Sequence, residues 1–95
     1  MPIGKKELMA KAKGFILSIE KMDSKQRAAT PRGEFGEDYN SLNSLVGKLF
    51  PDLEPVLPPR VSIERDSSFP FTESPYDEIR TYCEQIYQIL AEQGG

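Results

Sequence analysis

Six of the eight prolines in this 95-residue chain fall at Pro51, Pro55, Pro58, Pro59, Pro70 and Pro75. Proline fixes its own φ, removes a backbone donor and pushes the preceding residue out of helical geometry. The middle of the chain therefore supports neither a long helix nor a central strand, and regular structure must form on either side. After the prolines, Tyr76, Ile79, Tyr82, Cys83, Ile86, Ile89 and Leu90 recur at three- and four-residue spacing. That spacing puts them on one face of a helix. Ser74 suits the cap, Pro75 the first helical position, and Asp77 and Glu78 the positive end of the helix dipole. Gly94 and Gly95 stop the pattern.

Two further apolar stripes precede the prolines. Leu8, Ala12, Phe15, Ile16, Ile19 and Met22 share a face, with Met9 beside them and Lys6, Lys13 and Lys21 opposite. Gly14 interrupts this helix at a cost of about 1 kcal/mol relative to alanine, and marks either a close helix crossing or nothing. Tyr39, Leu42, Leu45, Val46, Leu49 and Phe50 form the next stripe, with Asp38 expected as its N-cap and Pro51 as its end. Asn40, Ser41, Asn43 and Ser44 form helix weakly, so this helix depends on its packing.

The expected fold is a single all-α domain over 1–95, with three helices at about 5–22, 38–50 and 75–93. The last helix lies between or across the first two. Residues 23–37 read as a flexible basic loop rich in glycine and proline, and 51–73 as an extended proline-rich connector. Within the connector, Arg60 to Glu64 alternates polar and apolar residues, the signature of a short strand. No second good strand is evident, so this segment either lies extended over the helices or pairs outside the chain. A chain of this length closes one modest core.

The residue inventory argues against chemistry. There is no histidine, which removes the commonest general base, the Ser/His and Cys/His nucleophile systems and most zinc sites. Cys83 is alone, so no disulfide forms within the chain, and a reducing compartment fits. Its place on an apolar stripe reads as a small core residue. Glu34, Glu37 and Asp38 are the densest acidic group, but the last two sit where a helix start wants them, and the spacing is not that of a calcium loop. Arg32 to Gly36 carries two glycines without a phosphate-loop pattern. The expectation is no enzyme, no cofactor and no metal. The longest apolar run is Phe15-Ile16-Leu17, far short of the roughly 20 residues that span a bilayer. No signal-peptide core follows Met1. A cytoplasmic protein without membrane association is expected.

Charge is uneven: +5 over residues 1–32 and -8 over the remainder, for a net -3. Blocks of opposite sign in one small domain neutralise each other, or the basic third meets an acidic partner. Nucleic acid is disfavoured, because the chain is acidic overall and only Phe15 lies among the basic residues, on the core face. Pro55 to Arg60 spells the PxxPx+ form of an SH3 ligand. The same residues also suit a stiff spacer packing Val56, Leu57 and Val61 on the core.

These exclusions leave a small non-catalytic interaction protein: an adaptor, regulatory subunit or inhibitor. Its candidate contact residues are Arg27, Arg32, Phe35, Arg60, Val61 and Tyr87. A homodimer would thicken a thin three-helix core. The alternatives are a nucleic-acid accessory protein using the lysine-rich first helix and following loop, or a small-ligand carrier or small enzyme.

Overall fold

The computed structural model describes residues 4–66 and 68–92. In chain order its elements are α1 (Lys5–Glu20), α2 (Ser24–Arg27), α3 (Gly33–Leu49), a 3-10 helix (Pro51–Val56), β1 (Ile63–Glu64), β2 (Phe71–Thr72) and α4 (Tyr76–Glu92). This is the expected all-α domain of three long helices with a short strand segment. The expected last residue of the final helix, Gln93, and its glycine stop lie outside the described residues.

The three stripes build one core. Leu8, Ala12, Ile16 and Ile19 of α1 meet Tyr39, Leu42 and Val46 of α3 and Ile79, Cys83, Ile86 and Leu90 of α4. Leu53 and Val61 close it from the connector. Each large aliphatic side chain buried in this way contributes about 1.5–3 kcal/mol.

Helix directions follow from the contacts. Tyr76 donates its N–H to the Ala29 carbonyl, just past α1 and α2, whereas the Lys13 Nζ sits 5.6 Å from the centre of the Tyr87 ring. So α4 runs antiparallel to α1. Phe35 touches Tyr76, and four residues on, Tyr39 faces Tyr82, so α3 and α4 run parallel. Neighbouring antiparallel helices need only a short loop, but parallel ones need a return crossover. The proline-rich segment is that crossover, which explains its length.

The crossover lies back along α3 as a strap. Asn43 Nδ2 donates to the Pro58 carbonyl at 2.7 Å, and the Tyr39 hydroxyl donates to the Pro59 carbonyl at 2.8 Å. Asn40 does both jobs for Val61: its Oδ1 accepts from the Val61 N–H at 2.8 Å and its Nδ2 donates to the Val61 carbonyl at 2.9 Å. A strap of prolines has few donors and cannot pair as a sheet, so α3 supplies the missing partners from its side chains. The weak helix formers Asn40 and Asn43 supply these bonds.

Several expectations need correction. The third stripe's helix starts at Gly33, not Asp38, so Asp38 is an interior helical residue and no cap. Residues 23–37 are not one flexible loop. Asp23 accepts from the Gln26 N–H at 2.8 Å while Gln26 Oε1 accepts from the Asp23 N–H at 3.3 Å, a capping box that starts α2. Pro31 is buried, and residues 33–37 are helical. The strand-like segment does pair within the chain: Ile63 faces Thr72 and Glu64 faces Phe71, antiparallel. α1 ends at Glu20 instead of Met22.

The early start of α3 rests on a close approach. Thr72 Oγ1 donates to the Arg32 carbonyl, the Thr72 N–H donates to the Pro31 carbonyl, each at 2.8 Å, and the Gly33 N–H donates to the Pro70 carbonyl. A Cβ on Gly36 would overlap Thr72 Oγ1 and lie 2.9 Å from Thr72 Cγ2. Gly36 lets Thr72 of β2, and Gly33 lets Ile63 of β1 and Pro70, sit against the first turn of α3.

Candidate interaction surface

One end of the bundle is locked by an aromatic ladder. Phe15 of α1 meets Phe35 of α3 edge-on at 5.3 Å between ring centres, and Phe35 meets Tyr76 of α4 at 5.0 Å. Such pairs add about 0.5–1.5 kcal/mol beyond their buried area. Beside the ladder, an open groove of about 520 Å³ lies between α1 and α3. The half-buried Phe15, Phe35 and Leu45 supply its apolar surface over the buried Leu42, with Gly14, Ser18 and Ser41 between them. Lys11 stands on the α1 wall and Asp38 on the α3 wall. Gly14 marks no helix crossing, because nothing lies within 4 Å of the place a Cβ would take. Its bare backbone forms part of the groove.

The six candidate contact residues are not brought together. Phe35 is half-buried and lies in the groove. Arg32 is exposed at the N-cap of α3. Arg27 is half-buried, its Nε 3.8 Å from Asp77 Oδ1, and Arg80 Nε approaches the same oxygen at 3.6 Å. Tyr87 is half-buried beneath Lys13. Arg60 is exposed on the strap. Val61 is only 6% exposed and both its backbone groups are held by Asn40, so its side chain belongs to the core and presents no contact surface.

The PxxPx+ spelling does not form a ligand helix. Pro55 and Val56 lie in the 3-10 helix, Pro58 is buried, and the carbonyls of Pro58 and Pro59 are occupied by α3. The spacer reading fits Leu57 and Val61 but not Val56, which is 61% exposed.

Cys83 is fully buried, and burial pushes its thiol from an ordinary 9.0 up to about 12, which keeps it protonated and unreactive. Burial also raises Tyr39, against its bond with Asn43. Tyr82 is raised chiefly by the hydrogen bond its hydroxyl donates to Glu78 at 2.5 Å. Cys83 and Tyr39 are core groups and do not reach the groove. Among the described residues no three His, Cys, Asp or Glu side chains gather to hold a metal ion, and no helix is long and apolar enough to cross a membrane.

Sequence reasoning missed Lys11, Asp38, Ser41 and Leu45 as groove residues. By spacing alone Asp38 reads as a cap and Leu45 as part of an apolar stripe. The available signal was the spacing of Glu34, Asp38, Ser41, Leu45 and Lys48, which lie on one line of a helix that begins at Gly33. Neither family models, curated proteins nor solved structures gave a match to this chain.

Proposed function

We propose that this chain is a small non-catalytic interaction protein, an adaptor, regulatory subunit or inhibitor, that receives a helix of a protein partner in the groove between α1 and α3. The observation that carries the reading is the groove itself: phenylalanine and leucine surface open to solvent, flanked by Lys11 and Asp38 of opposite sign. Such a groove accepts the apolar face of an amphipathic helix, with anchors one turn apart. Phe15 and Phe35 are of a residue type enriched at protein interfaces. The reading calls for no cofactor, and we place the protein in the cytoplasm, where a lone thiol stays reduced.

The test is native mass spectrometry of the chain isolated from the cell that makes it. The wild type is expected to carry one further polypeptide in simple stoichiometry. Ser18→Trp, at an exposed position on the groove wall, is expected to lose it with the circular dichroism unchanged. A bare monomer for the wild type, or full retention by Ser18→Trp, refutes the reading.

A further inference from the structure

One line along α3 is exposed at every position but Leu45, which is half-buried. Glu34, Asp38, Ser41, Leu45 and Lys48 follow one another at four- and three-residue steps, so they form a straight ridge along the helix. The ridge is acidic in its first half, small at its centre and basic in its last turn. Asp38, Ser41 and Leu45 also form the α3 wall of the groove. Phe15 of α1 against Phe35 of α3 and Tyr76 of α4, with α1 antiparallel to α4, sets α1 antiparallel to α3. Lys11, four residues before Phe15, therefore stands about level with residue 39, across the groove from Asp38. Among the described residues, Lys11, Asp38 and Lys48 form none of the ion pairs within the chain.

A surface that is acidic at one end and basic at the other is complementary to itself turned end for end. We propose that the occupant of the groove is a second copy of this chain, docked about a two-fold axis with the two α3 helices antiparallel; this rests on the groove reading above. The register that centres the axis near residue 43 sets Asp38 of each copy against Lys48 of the other. The same register sets Leu45 of each copy against the small, exposed Ser41 of the other. A two-fold axis makes every such contact twice. The ridge is 17 residues long at most, about 25 Å, so the interface belongs to the small end of specific ones, below about 1,200 Å² in total. Association is therefore concentration-dependent, and its charge pairs decide the register.

Sedimentation equilibrium of the pure chain tests this from about 1 µM to about 500 µM. The apparent mass is expected to rise from 10.7 kDa toward twice that value. Asp38→Lys and Lys48→Glu each create two like-charge contacts, and each is expected to weaken dimerisation about tenfold or more. Mixed in equal amounts, the two variants regain both attractive pairs, and the heterodimer is expected within about threefold of the wild type. Damage to folding cannot be cured by mixing, so rescue isolates the contact. A wild type that remains at 10.7 kDa throughout, single variants that dimerise normally, or a mixture without rescue overturns the inference. If the pure chain is monomeric while the cell-derived chain carries a foreign polypeptide lost in Ser18→Trp, the second copy is wrong and the groove reading stands.

Discussion

The glycines of α1 and α3 allow one physical argument to be tested within a single protein. Gly14 and Gly36 are both interior to helices, and alanine at either would gain about 1 kcal/mol of helix propensity. Gly14 is exposed and Gly36 buried, so they differ most in what a new Cβ would meet. At Gly14 nothing lies within 4 Å, so the gain is kept. At Gly36 the methyl would overlap Thr72 Oγ1 and lie 2.9 Å from Cγ2 and 3.1 Å from Cβ. Thr72 is fully buried and cannot retreat, because its hydroxyl is bonded to the Arg32 carbonyl and its N–H to the Pro31 carbonyl. Overpacking costs about 1–3 kcal/mol, and loss of the threonine hydrogen bond about 1 kcal/mol more. Sterics therefore win at Gly36, by about 1–3 kcal/mol after the propensity gain is subtracted. For a chain of this length 1 kcal/mol shifts Tm by about 5 °C. Thermal unfolding followed by circular dichroism should thus move up by about 5 °C for Gly14→Ala and down by about 5–15 °C for Gly36→Ala. Thr72→Ala removes the overlapping oxygen and Cγ2, so the Gly36→Ala and Thr72→Ala pair should couple favourably by about 1 kcal/mol. A Gly36→Ala protein that melts at or above the wild type would refute the close approach of β2 to α3.

Other expectations concern the strap and the core. Asn43→Ala removes the bond to the buried Pro58 and should cost about 1–3 kcal/mol, read as a lower urea midpoint at unchanged slope. Asn40→Ala frees both backbone groups of Val61 and should cost a similar amount, about 1–3 kcal/mol. Cys83 keeps its proton in the folded chain after the unfolded chain has lost it, so its contribution is complete below pH 9.0 and disappears as pH rises to about 12. Urea midpoints should fall across that window, with Tyr39 acting in the same direction above pH 10.0, and Cys83→Ala should flatten the lower part of the slope. Native chain should show no chemical-shift change with a PxxP-binding domain, whereas a peptide of residues 55–60, freed from α3, remains able to bind; binding by the native chain would contradict the strap.

How much was legible in advance depends on the range of the interactions involved. The core was readable because helical periodicity is local: Leu8, Ala12, Ile16 and Ile19, or Ile79, Cys83, Ile86 and Leu90, announce a buried face by spacing alone. The lone buried thiol followed from the same pattern. The groove was less visible, since Leu45 satisfies the stripe rule yet ends half-buried beside the space that α1 leaves open. The start of α3 was misplaced because Gly33 and Gly36 look like helix breakers until Thr72 is known to lie against them.

The sequence alone determined that three amphipathic helices would close on each other and that the prolines would separate the second from the third. Tertiary structure decided that those two helices run parallel, which makes the separating segment a return crossover strapped along α3. It also decided that Asn40 and Asn43 serve that strap, and that Asp38 faces a groove. The reason is distance along the chain: the Thr72 hydroxyl bonds a carbonyl 40 residues away and Asn40 bonds Val61 across 21. Nothing in the spacing of neighbouring residues encodes partners so far apart, and only the packed fold selects them.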